Sequence, residues 1–117
     1  TKDLVQGMFI MANGSLLAWA MENIIRNGMD SIDRENGEII IVLRKIENKI
    51  KIRIKDNGKG IPKKDWKNIF RPGFSTKKAG WGLGLSLANR IIEDIHKGNL
   101  RVLNSTINKG TIIEIIL

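Results

Sequence analysis

Alternation between positions 50 and 55 constrains the fold of this chain more than any other feature. Three isoleucines alternate there with three basic residues: Ile50, Ile52 and Ile54 with Lys51, Arg53 and Lys55. Successive side chains of a β-strand point to opposite faces, so this segment predicts a strand with one apolar and one solvated face. A sheet that contains such a strand needs a second layer on its apolar side only.

The rest of the chain supplies the other strands and the covering helices. Residues 16–30 have helical periodicity, as do residues 83–96, and each segment has an apolar stripe. Strands are predicted at residues 9–11, 38–43, 100–103 and 111–117. Residues 38–43 form an almost unbroken apolar run, which predicts a strand buried on both faces. The order β-α-β-β-loop-α-β-β predicts an α/β (α+β) two-layer sandwich with a mixed, mainly antiparallel sheet and helices on one face.

Length and composition limit the classes of protein that this chain can be. Its 117 residues suit a single domain, 1–117, and the absence of an initiator methionine predicts that the domain is excised from a longer chain. It has no cysteine and one histidine, His96, which excludes disulfides, thiolate metal centres and multi-histidine sites. No apolar run reaches the ~18 residues of a membrane span and no signal peptide is visible, so we expect a cytoplasmic domain.

Positive charge is concentrated in the middle of the sequence. Lys and Arg number 20 and Asp and Glu 12, which gives a formal net charge of +8. Between residues 44 and 78 there are 13 basic and three acidic residues. An anionic ligand or partner is therefore expected, such as a phosphate compound, an acidic protein or nucleic acid. For the part before Asp56, a solvated basic strand face is the simpler explanation.

Two amides on the first predicted helix are candidates for holding a cation. Asn23 and Asn27 are four residues apart, so they project from one side of the helix, and Asp30 follows three residues later in the same sector. Amide and carboxylate oxygens are ligands that Mg²⁺ accepts. Plain surface or capping roles are the alternative for these residues.

A turn with two glycines follows the alternating strand. Asp56 ends that strand, and Gly58 and Gly60 occupy alternate positions before Ile61. A carboxylate at a strand end can accept a hydrogen bond from an exocyclic amine such as that of adenine, and glycines let a flat ligand approach the backbone. A simple turn is the alternative, because Asp-Asn-Gly favours turns in any case.

A second glycine-rich segment leads into the last predicted helix. Its sequence is GWGLGL, residues 80–85. Glycines before a helix N terminus expose N–H groups and a positive dipole end to an anion. The segment is not a dinucleotide-binding fingerprint, since Leu85 stands where the last glycine is needed, and it is not a P-loop. It predicts a phosphate site of another design, with a flexible linker as the alternative.

In order and spacing, these segments resemble the ATP-binding domains of the GHKL superfamily. ENIIRNGMD (22–30) resembles the N box, DNGKGI (56–61) the G1 box and GWGLGL (80–85) the G2 box. IFRPGFSTK (69–77) resembles the F box of sensor histidine kinases, and Gly110-Thr111 resembles the final Gly-Thr element. The resemblance covers nearly the whole chain and implies the Bergerat ATP-binding fold.

The resemblance also implies a role for each matching residue. Asn27 would hold Mg²⁺ with help from Asn23, and Asp56 would accept a hydrogen bond from the adenine amino group, with Thr111 close by. Residues 70–80 would form a lid, from which Lys77 or Arg71 could reach the γ-phosphate; Asn23, Lys77 and Arg71 are the implied catalytic residues. The other implied cofactor-binding residues are Asp30, Gly58, Gly60, Ile61, Gly80, Gly82, Leu83, Gly84 and Leu85.

Two departures from the family pattern are informative. Position 23 is Asn, whereas hydrolytic members of the superfamily carry there a Glu that acts as general base for water. Attack by water should therefore be slow, which favours a kinase over an ATPase. Position 28 is Gly where the family usually has Ala, and we expect only a softer helix end, at a cost of ~1 kcal/mol.

The implied function is that of the ATP-binding catalytic domain of a two-component sensor histidine kinase. ATP and Mg²⁺ would be its cofactors, and a phosphoacceptor histidine domain outside this chain and a response-regulator receiver domain its partners. The full-length parent would be a homodimer, and a membrane-bound sensor is one form that it could take. This fragment alone would be monomeric. His96 is expected to cap the last helix rather than to accept the phosphoryl group.

Besides a degenerate pseudokinase, in which the motif residues persist after activity is lost, two alternatives to a histidine kinase stay open at this point. One is a serine protein kinase of the anti-sigma type, from the same superfamily. The other is a non-catalytic basic module that binds nucleic acid or an acidic protein, whereas no nucleic-acid partner is expected of a kinase domain. The absence of aromatic residues around the basic strand disfavours stacking on single-stranded nucleic acid.

Overall fold

Four strands and two α-helices make up the described part of the chain. The computed structural model describes residues 14–33, 35–74 and 84–117. In chain order the elements are α1 (Gly14–Asp30), β1 (Ile39–Ile46), β2 (Lys49–Asp56), two 3-10 turns (Lys63–Asp65 and Asn68–Phe70), α2 (Gly84–Asn89), a π-helical segment (Arg90–Ile95), β3 (Asn99–Thr106) and β4 (Gly110–Ile116). The strand predicted at residues 9–11 lies outside the described residues. None of the described helices is long and apolar enough to cross a membrane.

The described strands pair in antiparallel fashion throughout. Their order is β1-β2-β4-β3, so β2 and β4 are neighbours although they are far apart in sequence. In this central pair Ile52 lies opposite Ile115, and Asp56 lies opposite Thr111. The prediction of a two-layer α/β fold with helices on one face is confirmed.

The alternation in β2 determines where the core lies. Ile50, Ile52 and Ile54 are at most 6% exposed, whereas the basic residues between them are half-buried or exposed. The isoleucine face packs against the helices and the inner faces of β3 and β4, through Ala20, Ile24, Ala88, Ile91, Ile92, Leu100, Ile113 and Ile115. Burial of one such aliphatic side chain contributes about 1.5–3 kcal/mol, so this contact between layers is the main source of stability.

The prediction that residues 38–43 form a strand buried on both faces is wrong. β1 is an outer strand of the described sheet, and Ile40, Ile41 and Val42 are 37–44% exposed. Ile39 and Leu43 are partly buried and pack against the core. In the described sheet the apolar run pairs on one side only, with β2.

The last predicted helix is not uniform along its length. In its second half the N–H of His96 donates to the carbonyl of Ile91, five residues earlier, and His96 Nδ1 lies 2.7 Å from the same oxygen. His96 therefore contacts the end of the helix, as predicted. Lys97 (φ 57°) adopts the left-handed conformation that a terminal glycine usually provides. Gly98 instead allows close packing, because a Cβ there would lie 2.4 Å from the carbonyl oxygen of Ile116.

A buried carboxylate lies on the sheet face opposite the helices. Glu114 is 1% exposed and is paired in register with Arg53 and Arg101. Arg53 Nε donates to Glu114 Oε2 at 3.1 Å, Arg101 Nη2 donates to Oε1 at 2.9 Å, and Lys51 Nζ lies 3.9 Å from Oε2. Burial raises the pKa of Glu114, but the hydrogen bonds and charges of these cations outweigh burial and hold the pKa below its usual value. Part of the basic strand face is therefore structural.

Replacement of Glu114 should destabilise the protein. Glu114→Gln keeps the side-chain shape but removes the charge that three cations surround, so we expect the free energy of unfolding at pH 7 to fall by about 2 kcal/mol. Urea unfolding measures the change. The matched control is Glu22→Gln: Glu22 forms an exposed bridge with Arg26, so its loss should change the free energy by less than ~0.5 kcal/mol.

The difference in unfolding free energy between the wild type and Glu114→Gln should depend on pH. A pKa that is lower in the folded protein stabilises the fold above the unfolded carboxyl pKa, and that contribution is lost as the pH falls through the folded value. The stabilities of the wild type and Glu114→Gln should therefore converge in acid. Equal losses in the Glu114 and Glu22 variants at pH 7 would contradict this account.

Candidate functional site

Asp56 is a buried carboxylate at the C-terminal end of β2. It is 6% exposed, and its Oδ1 accepts the backbone N–H of Gly58 at 2.9 Å and lies 3.4 Å from Ser31 Oγ. Burial raises the pKa of Asp56, and hydrogen bonds from the N–H groups of Gly58 and Thr111 and from the Ser31 hydroxyl oppose that rise without cancelling it. Among the described residues, the groups that donate to this carboxylate are thus neutral.

Helix α1 packs closely against Asp56 at Gly28. A Cβ on Gly28 would lie 3.3 Å from Asp56 Oδ2 and 3.1 Å from Ile39 Cδ1, which is tighter than ordinary van der Waals contact. The expectation of a softer helix end is therefore incomplete, because Gly28 also lets α1 close on the carboxylate.

The two glycines after Asp56 allow two backbone segments to pass close to the turn. A Cβ on Gly58 would lie 2.0 Å from Ser31 Oγ, and one on Gly60, whose φ is 79°, would lie 2.4 Å from the carbonyl oxygen of Thr106. These positions need glycine for packing within the protein. Their further role in making room for a base remains a prediction.

The turn after β2 is also held by Asn57, a residue that the sequence motifs did not single out. Its Nδ2 donates to the carbonyl oxygen of Asn36 at 2.7 Å, and its Oδ1 accepts the backbone N–H of Glu38 at 2.8 Å. This pair of hydrogen bonds joins the turn to the segment that enters β1.

Thr111, at the start of β4, is connected to the same turn through Ser105. Thr111 is 4% exposed, and its Oγ1 lies 2.7 Å from Ser105 Oγ, which also accepts the backbone N–H of Ile61 at 2.8 Å. Gly110 (φ 129°) lets β4 approach β2, since a Cβ there would lie 2.0 Å from the carbonyl oxygen of Asp56. The structure therefore brings together Asp56, Ile61 and Thr111, and Ser105 is a member that the sequence analysis missed.

The predicted metal ligands lie on α1, towards the start of α2. Asn23 Nδ2 donates to the carbonyl oxygen of Trp19 at 2.8 Å, and its Oδ1 would lie 2.8 Å from a Cβ on Gly84. Asn27 is half-buried one turn later, and Asp30 is exposed at the end of the helix. The N box and the first residue of α2 are thus neighbours. Within the described residues no three acidic or histidine side chains form a metal cluster.

The segment between the turn and the G2 box is only partly described. Trp66 Nε1 donates to the carbonyl oxygen of Ile61 at 3.0 Å, and Phe70 packs against the core beside Leu85. Arg71 is exposed, with its backbone N–H bonded to the carbonyl of Asn68. The predictions for Lys77, Gly80, Gly82 and Leu83 lie outside the described residues.

An apolar hollow of about 460 Å³ lies between the first half of α1 and the wall formed by Leu87 of α2 and the π-helical segment Arg90–Ile95. Its walls include Leu16, Trp19, Leu87 and Ile95, which are 36–53% exposed. Asp56 and Thr111 are not among its lining residues. The hollow is therefore separate from the cluster around Asp56.

Substitution of Asp56 should stabilise the ligand-free protein. A carboxyl pKa that is raised in the folded state means that the folded protein binds protons more tightly than the unfolded chain, so ionised Asp56 lowers stability at pH 7. Asp56→Asn should raise the midpoint of urea unfolding at pH 7, and the gain should disappear below pH 3.8, the ordinary value for this carboxyl group. A lower midpoint at pH 7 would contradict the burial argument.

Comparison with known proteins agrees with this arrangement. Residues 12–117 match the family described as histidine kinase-, DNA gyrase B- and HSP90-like ATPase. Sporulation kinase C of Bacillus subtilis is 33% identical over 111 residues, which are 95% of this chain and 25% of that protein. The histidine-protein kinase AtoS of Escherichia coli is 39% identical over 93 residues, 80% of this chain and 15% of that protein. The chain thus spans a quarter or less of these relatives.

Solved structures show the same fold. The catalytic domain of the histidine kinase ThkA superposes with a TM-score of 0.80 at 30% identity, covering 92% of this chain and 69% of that one. ThkA in complex with the response regulator protein TrrA gives 0.77 at 27% identity, covering 92% and 30%. The fold implied by the resemblance is therefore confirmed, and the chain belongs to the family of histidine kinase-, DNA gyrase B- and HSP90-like ATPases, with sensor histidine kinases among its relatives.

Proposed function

We propose that this chain is the ATP-binding catalytic domain of a two-component sensor histidine kinase and transfers the γ-phosphoryl group of ATP to a histidine on a separate domain. The observation that carries the proposal is the buried carboxylate of Asp56, which lies opposite Thr111 and whose hydrogen-bond partners in the described part of the chain are neutral. A desolvated carboxylate of this kind is poised to accept a hydrogen bond from the 6-amino group of adenine. ATP as substrate also supports a cytoplasmic location for the domain.

The opposite end of the nucleotide would lie where α1 meets α2. Asn27, assisted by Asn23, would hold Mg²⁺, because amide oxygens suit a cation that keeps its other positions for water and phosphate. When bound, Mg²⁺ supplies positive charge that offsets the charge of the triphosphate. The first N–H groups of α2, at Gly84 and Leu85, would face the phosphates, together with Gly80, Gly82 and Leu83 of the same motif. Asp30, Arg71 and Lys77 keep the roles that the resemblance implies.

Asn23 supports phosphoryl transfer over hydrolysis. An amide has no basic site that could take a proton from an attacking water. The Nδ2–H group of Asn23 also already donates a hydrogen bond to the carbonyl oxygen of Trp19. The nucleophile that attacks the γ-phosphoryl group would then be an imidazole. The domain would catalyse this transfer by positioning the two reactants and by stabilising the negative charge of the phosphates.

Nucleotide binding tests the proposal directly. A non-hydrolysable ATP analogue with Mg²⁺ should bind saturably in calorimetry, and Asp56→Asn should weaken binding about 10- to 100-fold, the usual effect of losing a hydrogen bond to a charged group. Asp33→Asn is the matched control, since Asp33 is exposed and lies just after α1. Wild-type affinity in the Asp56 variant would contradict the assignment of the adenine site.

The phosphoacceptor helices would dock in the apolar hollow between α1 and α2. Leu16, Trp19 and Leu87 expose aliphatic and aromatic surface there, next to the end of the site where Asn23 meets Gly84. An acceptor seated in the hollow would therefore approach the γ-phosphate end of ATP. The TrrA complex of ThkA supports a response regulator as the partner after it. The dimeric state of the parent remains a prediction.

Phosphotransfer to the separately produced phosphoacceptor domain of a sensor histidine kinase tests this docking. Leu87→Arg should leave nucleotide affinity unchanged and slow transfer at least about tenfold, because it places a charge in the apolar contact. Ile46→Arg is the control, since Ile46 is similarly exposed at the far end of β1. The phosphoryl bond formed should be acid-labile, as expected of phosphohistidine; an acid-stable product would point to a serine kinase instead.

A further inference from the structure

The sheet face that points away from the helices carries an excess of positive charge. Three rows of side chains cross all four described strands on this outer face. Asp56 and Thr111 belong by register to the opposite face, which the helices cover. The outer face is therefore separate from the proposed nucleotide site. Its charged residues are one acid, Glu114, and five basic residues, Arg44, Lys51, Arg53, Lys55 and Arg101.

Glu114 uses only part of this positive charge. Arg53 donates to it through Nε alone, and Arg101 through Nε and Nη2. No described residue accepts a hydrogen bond from the other guanidinium nitrogens, and the two side chains are 43% and 57% exposed. A guanidinium that is held at one edge keeps its remaining N–H groups in a fixed plane, which suits a second carboxylate. Glu114 thus holds two arginines in position and leaves N–H groups for a partner.

The fold makes no use of two further cations on the outer face. Arg44 lies directly opposite Lys51, and Lys55 lies between Ile40 and Ile112. Arg44 and Lys55 are exposed, and no acid in the described part of the chain forms an ion pair with either. Like charges directly opposite each other destabilise a sheet. The charge of the outer face is therefore larger than its own stability requires.

Apolar side chains among these cations distinguish between the possible anionic partners. Ile40 and Val42 are 42% and 37% exposed beside Lys55 and Arg53. They are shorter than the surrounding cations, which would therefore meet a lipid headgroup layer first and keep them away from the acyl chains. The phosphate backbone of a nucleic acid offers them no apolar group, and a second copy of this face would bring charge of the same sign. A protein surface that presents carboxylates beside apolar side chains complements both kinds of residue.

We propose that the outer face is a docking surface for an acidic segment of a partner protein in which carboxylates alternate with apolar side chains. The carboxylates would pair with Arg53, Arg101 and Lys55, and the apolar side chains would cover Ile40 and Val42. Three rows across four strands offer roughly 400 Å², about half of what one partner contributes to a standard interface. Docking is therefore weak and sensitive to salt.

Binding of a short acidic peptide tests the proposal. A fluorescently labelled peptide of alternating Glu and Val should bind saturably at low ionic strength, and added salt should weaken it. Arg44→Glu combined with Lys55→Glu should weaken binding at least about tenfold, because both positions would then repel the peptide. The control combines Lys64→Glu with Lys67→Glu, which makes the same change in net charge at exposed positions outside the sheet and should weaken binding less than about twofold. The measurement needs no nucleotide, so its outcome is independent of the proposed function.

A second pair of variants keeps the test decisive if the charge reversal does not fold. Arg44→Gln combined with Lys55→Gln removes both charges without adding acids, and it should weaken binding about threefold or more. Equal weakening by the reversed and control pairs would overturn the proposal, because it would show only general attraction to a basic protein. Tighter binding of a duplex DNA or of phosphatidylglycerol vesicles than of the peptide would also overturn it, as would failure of the wild type to bind the peptide.

Discussion

The antiparallel pairing of β2 with β4 is the contact on which the rest of this structure depends. It joins two segments far apart in the chain and places Asp56 opposite Thr111 at one end and Ile52 opposite Ile115 in the middle. The same register therefore builds the centre of the core and the acidic end of the site. Gly110 makes this closeness possible, because a side chain there would collide with the carbonyl oxygen of Asp56.

The two buried carboxylates of the central strands have opposite electrostatic surroundings. Three cations surround Glu114 and lower its pKa, whereas Asp56 has neutral donors and a raised pKa. A paired carboxylate stabilises a fold, and an unpaired buried one costs stability unless a ligand uses it. Charge environment distinguishes these two carboxylates and burial does not, since both side chains are almost inaccessible to solvent.

Local pattern predicted much of this molecule, and long-range pairing determined the rest. The period-two alternation of Ile50, Ile52 and Ile54 identified the central strand and its buried face. The apolar run of β1 was misleading, because an edge position depends on strand order and not on the strand's own sequence. The motifs identified Asp56 and Thr111. The G1-like segment contains Asn57 but did not indicate its hydrogen bonds to residues 19 and 21 positions away. No motif contains Ser105, whose bond from the N–H of Ile61 spans 44 residues.

The strand order also bears on how such a domain tolerates change in length. β2 ends at Asp56 and β4 begins at Gly110, so the motifs that follow the turn are carried on one long connection between two already paired strands. The entropy of closing a loop grows only with the logarithm of its length, and even doubling a flexible loop within this connection costs only about 0.6 kcal/mol. Insertions that leave the described elements in place therefore cost little stability, because they leave the pairing of β2 with β4 and the position of Asp56 opposite Thr111 unchanged.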